Sequence, residues 1–240
     1  MLLYYAPRVH RNVRAAFPRG MREGLAMSAK AGQAVYSPMV LRTYDWIVLG
    51  LSNRFLWRCP TAELLRLYDR NVSERHLDVG VGTGYFLDKA KWPIAKPVIT
   101  LLDLNPNCLT TASRRIRRFT PQTVLANVLA PLPPLGPFQS AGLCYLLHCL
   151  PGTMAEKAIV FDHLTPLLGR RARVFGATIV QGRAPRSRAA QALMNLYNSK
   201  GIFSNVEDAI EALDEALRER FRDVEVRLRG TVALFEAQAK

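Results

Sequence analysis

The chain has 240 residues, 49% hydrophobic and 22% charged, which suits one α/β domain with one sizeable core. Its apolar runs, such as Trp46 to Leu51, fall far short of the roughly 20 residues that span a bilayer, so no membrane span is expected. Cys59, Cys108, Cys144 and Cys149 have neither the paired spacing of a zinc site nor the density of a disulfide scaffold, which points to a reducing cytoplasm.

The net charge of +14 invites a nucleic-acid partner, because clustered Lys and Arg attract phosphates. Its distribution weakens that reading. Arg8, Arg11, Arg14, Arg19 and Arg22 stand in the first 22 residues without an acid among them, leaving 28 basic against 19 acidic residues elsewhere. Arg114 to Arg118 and Arg170 to Arg173 fall where an exposed helix face and a turn before a strand are expected. Solvated surface accounts for both, with an anionic substrate or a nucleic acid as the alternative. Residues 1–26 read as a basic N-terminal extension, a leader or a flexible arm, and residues 27–240 as the domain.

From Ala34 to Arg70 apolar residues recur three and four apart, at Val40, Tyr44, Ile47 and Leu51 and then at Leu64, Leu67 and Tyr68, which predicts helices before the sheet. Short apolar runs follow at His76–Val79, Val98–Leu102, Thr123–Ala126, Ser140–Leu146 and Arg173–Thr178. Helix-forming segments separate them, the order that gives a doubly wound, mostly parallel sheet covered on both faces. Between Leu129 and Pro137 the prolines predict a surface loop. Residues 181–203 form an insertion after the fifth strand. Ser204 with Glu207 reads as a capping box opening a helix whose stripe is Val206, Ile210, Leu213 and Leu217. Alternation at Val224, Val226 and Leu228, then Gly230 and the run Val232 to Phe235, predicts a terminal antiparallel hairpin and a seven-stranded sheet.

The most informative stretch is HLDVGVGTGYF, His76 to Phe86, where a strand carrying Asp78 runs into Gly80, Gly82 and Gly84 before a helix. Glycines let a ligand approach the backbone at a tight strand-to-helix turn, which suits a nucleoside. A dinucleotide fold needs a small residue where Tyr85 stands, and Asp78 suits a cationic ligand better than a pyrophosphate. Asp103, ending the next strand in TLLDLNP, is placed to accept ribose hydroxyls.

These motifs resemble those of the class I S-adenosylmethionine-dependent methyltransferases, within them the small-molecule group, over most of the chain from about Val35 onward. The resemblance implies a Rossmann-like fold with N-terminal lid helices at about 34–70, and S-adenosylmethionine as the cofactor. It implies that Asp78, Gly80, Gly82 and Gly84 contact the methionine part, that Asp103 binds ribose, and that Leu104 and Asn105 lie near the adenine. Asn127, followed by Val128, stands where the family commonly has an Asp for the adenine amino group; an amide oxygen can accept the same bond. Leu146 or Leu147 would lie beside the sulfonium.

Methyl transfer from a sulfonium needs alignment above all, worth roughly 7–11 kcal/mol in well-oriented systems, and a base only for a protonated acceptor. His148 is the base candidate, against a structural role in the loop before Pro151. Tyr36, Tyr44, Asp45, Trp46 and Tyr85 are candidates for the acceptor pocket, with core packing as the alternative for the aromatic ones. Cys144 and Cys149 read as buried small residues, and His10, His76 and His163 form no ligand set, so no metal is predicted. The leading expectation is methylation of an O, N or C nucleophile of a metabolite. The alternatives are an RNA or protein methyltransferase, although Cys144-Tyr145-Leu146-Leu147 lacks the Asn/Asp-Pro-Pro-aromatic pattern, and a non-catalytic cofactor-binding protein.

Overall fold

A computed structural model describes residue 53 and residues 55–182 and 186–240. Tyr36, Tyr44, Asp45, Trp46, the basic extension and most of the expected lid lie outside the described residues. The first helix, α1 (Thr61–Asn71), buries Leu64, Leu67, Tyr68 and Asn71, one stripe at helical spacing, against the sheet. After β1 (Arg75–Val79) come α2 (Tyr85–Lys89), β2 (Val98–Asp103), α3 (Pro106–Arg115), β3 (Gln122–Leu125) and β4 (Phe138–Cys144). The chain continues through α4 (Met154–Lys157), α5 (Ile159–Leu164), β5 (Leu168–Ile179), α6 (Arg188–Ser199) and α7 (Ile210–Arg220) to the hairpin β6 (Arg222–Arg229) and β7 (Val232–Gln238).

The sheet order is β3-β2-β1-β4-β5-β7-β6, parallel except at the hairpin. The expected doubly wound, seven-stranded architecture is therefore present. Its topological switch lies at β1 and β4, where connections depart to opposite sides and a crevice opens beyond the strand C-termini. Strand pleating divides the core. Leu77, Val79 and Leu102 face α5 and α7, while Ile99 and Leu101 face α1 and α3. His76 and Asp78, at the alternate positions of β1, must then share the α1 side.

Three boundaries differ from expectation. The helix expected at Ser204 begins at Ile210 instead, because Ser204 and Asp208 are occupied: Lys157 Nζ donates to the Ser204 carbonyl and to the Asp208 carboxylate. Val206, expected on the apolar stripe, is 67% exposed. The Arg170–Arg173 cluster lies inside β5 rather than before it, where a register irregularity against β4 and a φ of +60° at Arg171 accommodate the exposed arginines. Finally, β4 stops at Cys144, and Tyr145 turns the backbone at φ +59°. The insertion contains α6, whose Ala190 and Met194 are buried and whose first turn is capped by Ser187.

Candidate active site

The glycine loop between β1 and α2 sits at the head of the crevice. The Gly80 N–H donates to the Leu102 carbonyl at 2.8 Å, joining the loop to β2. A Cβ on Gly80 would come within 2.9 Å of Leu146 Cδ1, so Leu146 lies directly over the loop. Gly84 has φ +71°, and a Cβ there would stand 2.9 Å from the Ala112 Cα in α3; only glycine permits this helix and loop to touch. Gly82, at φ +51°, is different: among the described residues a Cβ on it would meet nothing within 4 Å. Its backbone borders open space that a ligand can enter.

Asp103 ends β2 beside this loop, half-buried, with Oδ1 accepting the Asn105 N–H at 2.8 Å. Burial raises its carboxyl to about 6; backbone N–H groups of Asn105, Gly82 and Val81 oppose the shift, and the Asp78 charge adds to it. Asp78 is 3% exposed. Among the described residues neither carboxylate has a Lys or Arg partner, and the Asp78 charge acts on Asp103. Two adjacent acids without a cation suit a ligand that carries positive charge at one end and hydroxyl donors at the other.

At the start of α3, Asn105 Oδ1 caps the helix by accepting the Asn107 N–H at 2.9 Å. Among the described residues its buried Nδ2 has no hydrogen-bond partner, a donor left over beside Asp103. Leu104 is 36% exposed and offers an apolar surface next to it. Asn127, after β3, already accepts the Leu129 N–H at 3.0 Å through its side-chain oxygen, which retains a second lone pair. Val128 is buried, and its carbonyl lies 2.9 Å from His163 Nδ1. This set fits S-adenosylmethionine: carboxylates for the ammonium and the ribose, an open glycine edge, and an unpaired donor with an apolar surface for the adenine.

His148 lies beyond the end of β4 and is buried. Its Nδ1 accepts the Ile179 N–H at 3.3 Å and lies 3.3 Å from Thr178 Oγ1, so this nitrogen ties the ends of β4 and β5 together. Burial, assisted by the Lys157 charge, pushes the imidazole down to about 3, leaving it neutral and weakly basic at physiological pH. Of the two roles weighed for His148, base and structural, these contacts supply the structural one. Around it stand Tyr145 and Phe203, edge-on at 5.7 and 4.6 Å, and Phe203 continues the contact to Tyr197 at 4.9 Å and Trp57 at 6.1 Å. Tyr85, the remaining described acceptor candidate, faces α3, with the Arg115 guanidinium 5.9 Å from its ring centre.

No protein-family model matches the chain. It is 39% identical over 207 residues to demethylluteothin O-methyltransferase of Streptomyces thioluteus, spanning 86% of this chain and 90% of that one. The chain belongs to the class I S-adenosylmethionine-dependent methyltransferases. The methyltransferase is also 39% identical over 210 residues to the physcion biosynthesis cluster O-methyltransferase of Aspergillus chevalieri, covering 86% and 94% of the two chains. In fold it is similar to N-methyltransferase NodS from Bradyrhizobium japonicum WM9 in complex with S-adenosyl-l-homocysteine, with a TM-score of 0.53 at 17% identity over 74% of this chain and 84% of that one. Both sequence relatives of the methyltransferase are named O-methyltransferases, and the NodS structure holds S-adenosyl-l-homocysteine.

The fold brings Asp78, Gly80, Gly82, Gly84, Asp103, Leu104, Asn105 and Leu146 of the methyltransferase to one crevice, with Asn127 and Val128 following the neighbouring strand β3. Sequence reasoning did not single out Tyr68, His76, Ser140 and Gly142, which surround Asp78. The signal available was polar residues within apolar strands, His76 and Asp78 at alternate positions of β1 and Ser140 in β4. Lys157 and Asp208 were likewise passed over, since nothing local marks two charges as buried partners.

Proposed function

We propose that this protein methylates a hydroxyl oxygen of a small-molecule acceptor. Asp78, Gly80, Gly82, Gly84 and Leu146 would hold the methionine end of the cofactor, and Asp103, Leu104, Asn105, Asn127 and Val128 the nucleoside end. The observation that carries this reading is the pair Asp78 and Asp103, two carboxylates without a Lys or Arg partner among the described residues at the mouth of a glycine loop. Oxygen as the acceptor atom is supported by the two relatives named O-methyltransferases.

The cofactor supplies a methyl group already activated on a cationic sulfur, so the chain's own residues have to bind, orient and exclude water. Preorganisation is the larger contribution, about 7–11 kcal/mol where reactants are well aligned. His148 serves as an anchor between the ends of β4 and β5, and its ring, with Tyr145, Phe203, Tyr197 and Trp57, builds an aromatic wall suited to a flat acceptor. Tyr36, Tyr44, Asp45 and Trp46 are assigned to the acceptor side on sequence grounds, and Tyr85 to its margin near Arg115. Four free cysteines support a reducing, cytoplasmic setting, and among the described residues no helix is long and apolar enough to cross a membrane.

Calorimetric titration with S-adenosylmethionine, S-adenosylhomocysteine and NAD tests the site. Micromolar affinity for the sulfur ligands alone, lost on Asp103→Ala, is the expected result. Unchanged affinity in Asp103→Ala would overturn the placement. An RNA acceptor, the reading that the net charge of +14 favours, predicts affinity for bulk RNA that falls steeply with salt; salt-independent weak binding eliminates it.

A further inference from the structure

Beneath the glycine loop, Asp78 is the end of a buried polar chain drawn from three separate elements. The register of β1 against β4 pairs His76 with Ser140 and Asp78 with Gly142. Tyr68, from α1, donates its phenol O–H to Asp78 Oδ1 at 2.8 Å, and His76 Nε2 lies 3.5 Å from the same oxygen. An ionised carboxylate only accepts, so Nε2 carries the imidazole proton; Nδ1 then accepts from Ser140 Oγ at 2.8 Å. Burial, then the adjacent Asp78 charge, pushes the Tyr68 phenol well above its ordinary range and keeps it a donor.

The chain sits in a rigid aromatic cage. Tyr68 stacks on Phe86 at 5.2 Å and meets Phe175 edge-on at 5.0 Å. His76 stacks on Phe175 at 5.8 Å and meets Trp92 edge-on at 5.6 Å. Gly142 leaves the room the carboxylate occupies, for a Cβ there would stand 2.9 Å from Asp78 Oδ1. Both donors converge on Oδ1, and among the described residues none reaches Oδ2.

We propose that Tyr68, His76 and Ser140 are positioning residues, which lock Asp78 by Oδ1 so that Oδ2 is held ready for the ammonium of the cofactor's amino-acid end. The inference rests on the placement of Asp78 given under the proposed function. Its physical basis is preorganisation: a carboxylate fixed before binding loses no rotational freedom when the ligand arrives, whereas a free one must be ordered at the expense of affinity.

The test compares two ligands, S-adenosylhomocysteine and methylthioadenosine, which share the nucleoside and sulfur but differ in the amino-acid end. Tyr68→Phe should weaken S-adenosylhomocysteine by about three- to tenfold and leave methylthioadenosine unchanged, with Ser140→Ala moving the same ratio less. Asp78→Asn is the control and should move the ratio further. If Asp78→Asn shifts the ratio while Tyr68→Phe does not, or weakens both ligands equally, the positioning role is refuted and the placement of Asp78 stands. If Asp78→Asn leaves the ratio unchanged, the placement fails and the positioning role with it.

Discussion

Lys157 Nζ donates to both carboxylate oxygens of Asp208, at 2.8 and 2.6 Å, across 51 residues of sequence, with both side chains almost fully buried. The ammonium is completed by the Ser204 carbonyl at 2.6 Å. Burial draws the lysine down and the aspartate up from their ordinary ranges, so the pair persists because its geometry offsets desolvation. It pins the segment between α6 and α7 to α4, next to the aromatic wall.

Removing one partner leaves the other charged and alone. Lys157→Met should lower stability by about 3–5 kcal/mol, and the double variant Lys157→Met/Asp208→Leu should recover most of that loss. Urea unfolding curves of the three proteins decide it; a double variant no more stable than Lys157→Met would show that the pair does more than neutralise itself.

The glycines at 82 and 84 separate the proposed ligand space from protein packing. Gly84→Ala drives a Cβ into the α3 backbone at Ala112 and should destabilise the fold by about 2–3 kcal/mol. Gly82→Ala meets nothing and should lose only about 1 kcal/mol from its positive φ, yet weaken S-adenosylhomocysteine by about tenfold or more. Melting curves and calorimetry on both variants measure this; equal losses of affinity at equal stability would contradict the assignment of open space.

On the placement proposed above, Asp103 should make cofactor binding dependent on pH. Its folded carboxyl titrates at about 6 against 3.8 for the free side chain, so the unliganded protein binds more protons than the unfolded chain between these values. Stability of the unliganded protein therefore falls as pH rises from about 4 to 6, by up to about 3 kcal/mol. Ribose hydroxyls donate to the ionised form. Affinity should be flat above pH 6 and decline below it, by at most about tenfold per unit, and Asp103→Asn should abolish this dependence. Titrations between pH 5 and 8 provide the check.

His148 distinguishes an anchor from a base. His148→Asn should lower the melting temperature and reduce turnover through the disturbed ends of β4 and β5, while the shape of the pH–rate profile stays as in the parent protein. Loss of one limb of that profile together with a 10²–10⁴-fold fall in kcat would instead identify the imidazole as a general base.

Much of this protein was legible from local pattern. Period-two and continuous apolar runs located the strands, and the glycine spacing marked the turn between β1 and α2 and the place of Asp103 at the end of β2, because each of these depends on residues close together in the chain. The capping box of Ser204 with Glu207 failed for a tertiary reason: Lys157, distant in sequence, claims the Ser204 carbonyl that a helix starting there would use, and holds Asp208 as well. Likewise His148 reads as a base from its residue type and position, and only packing against β5 gives it the Ile179 N–H and the burial that keeps it neutral. The partners of Asp78 were out of reach for the same reason. Sequence by itself determined which residues form the strands and the glycine loop, since those are set by backbone preference and hydrophobic period; strand register and helix docking decided which polar groups meet in the dry interior, where hydrogen bonds and desolvation assign their roles.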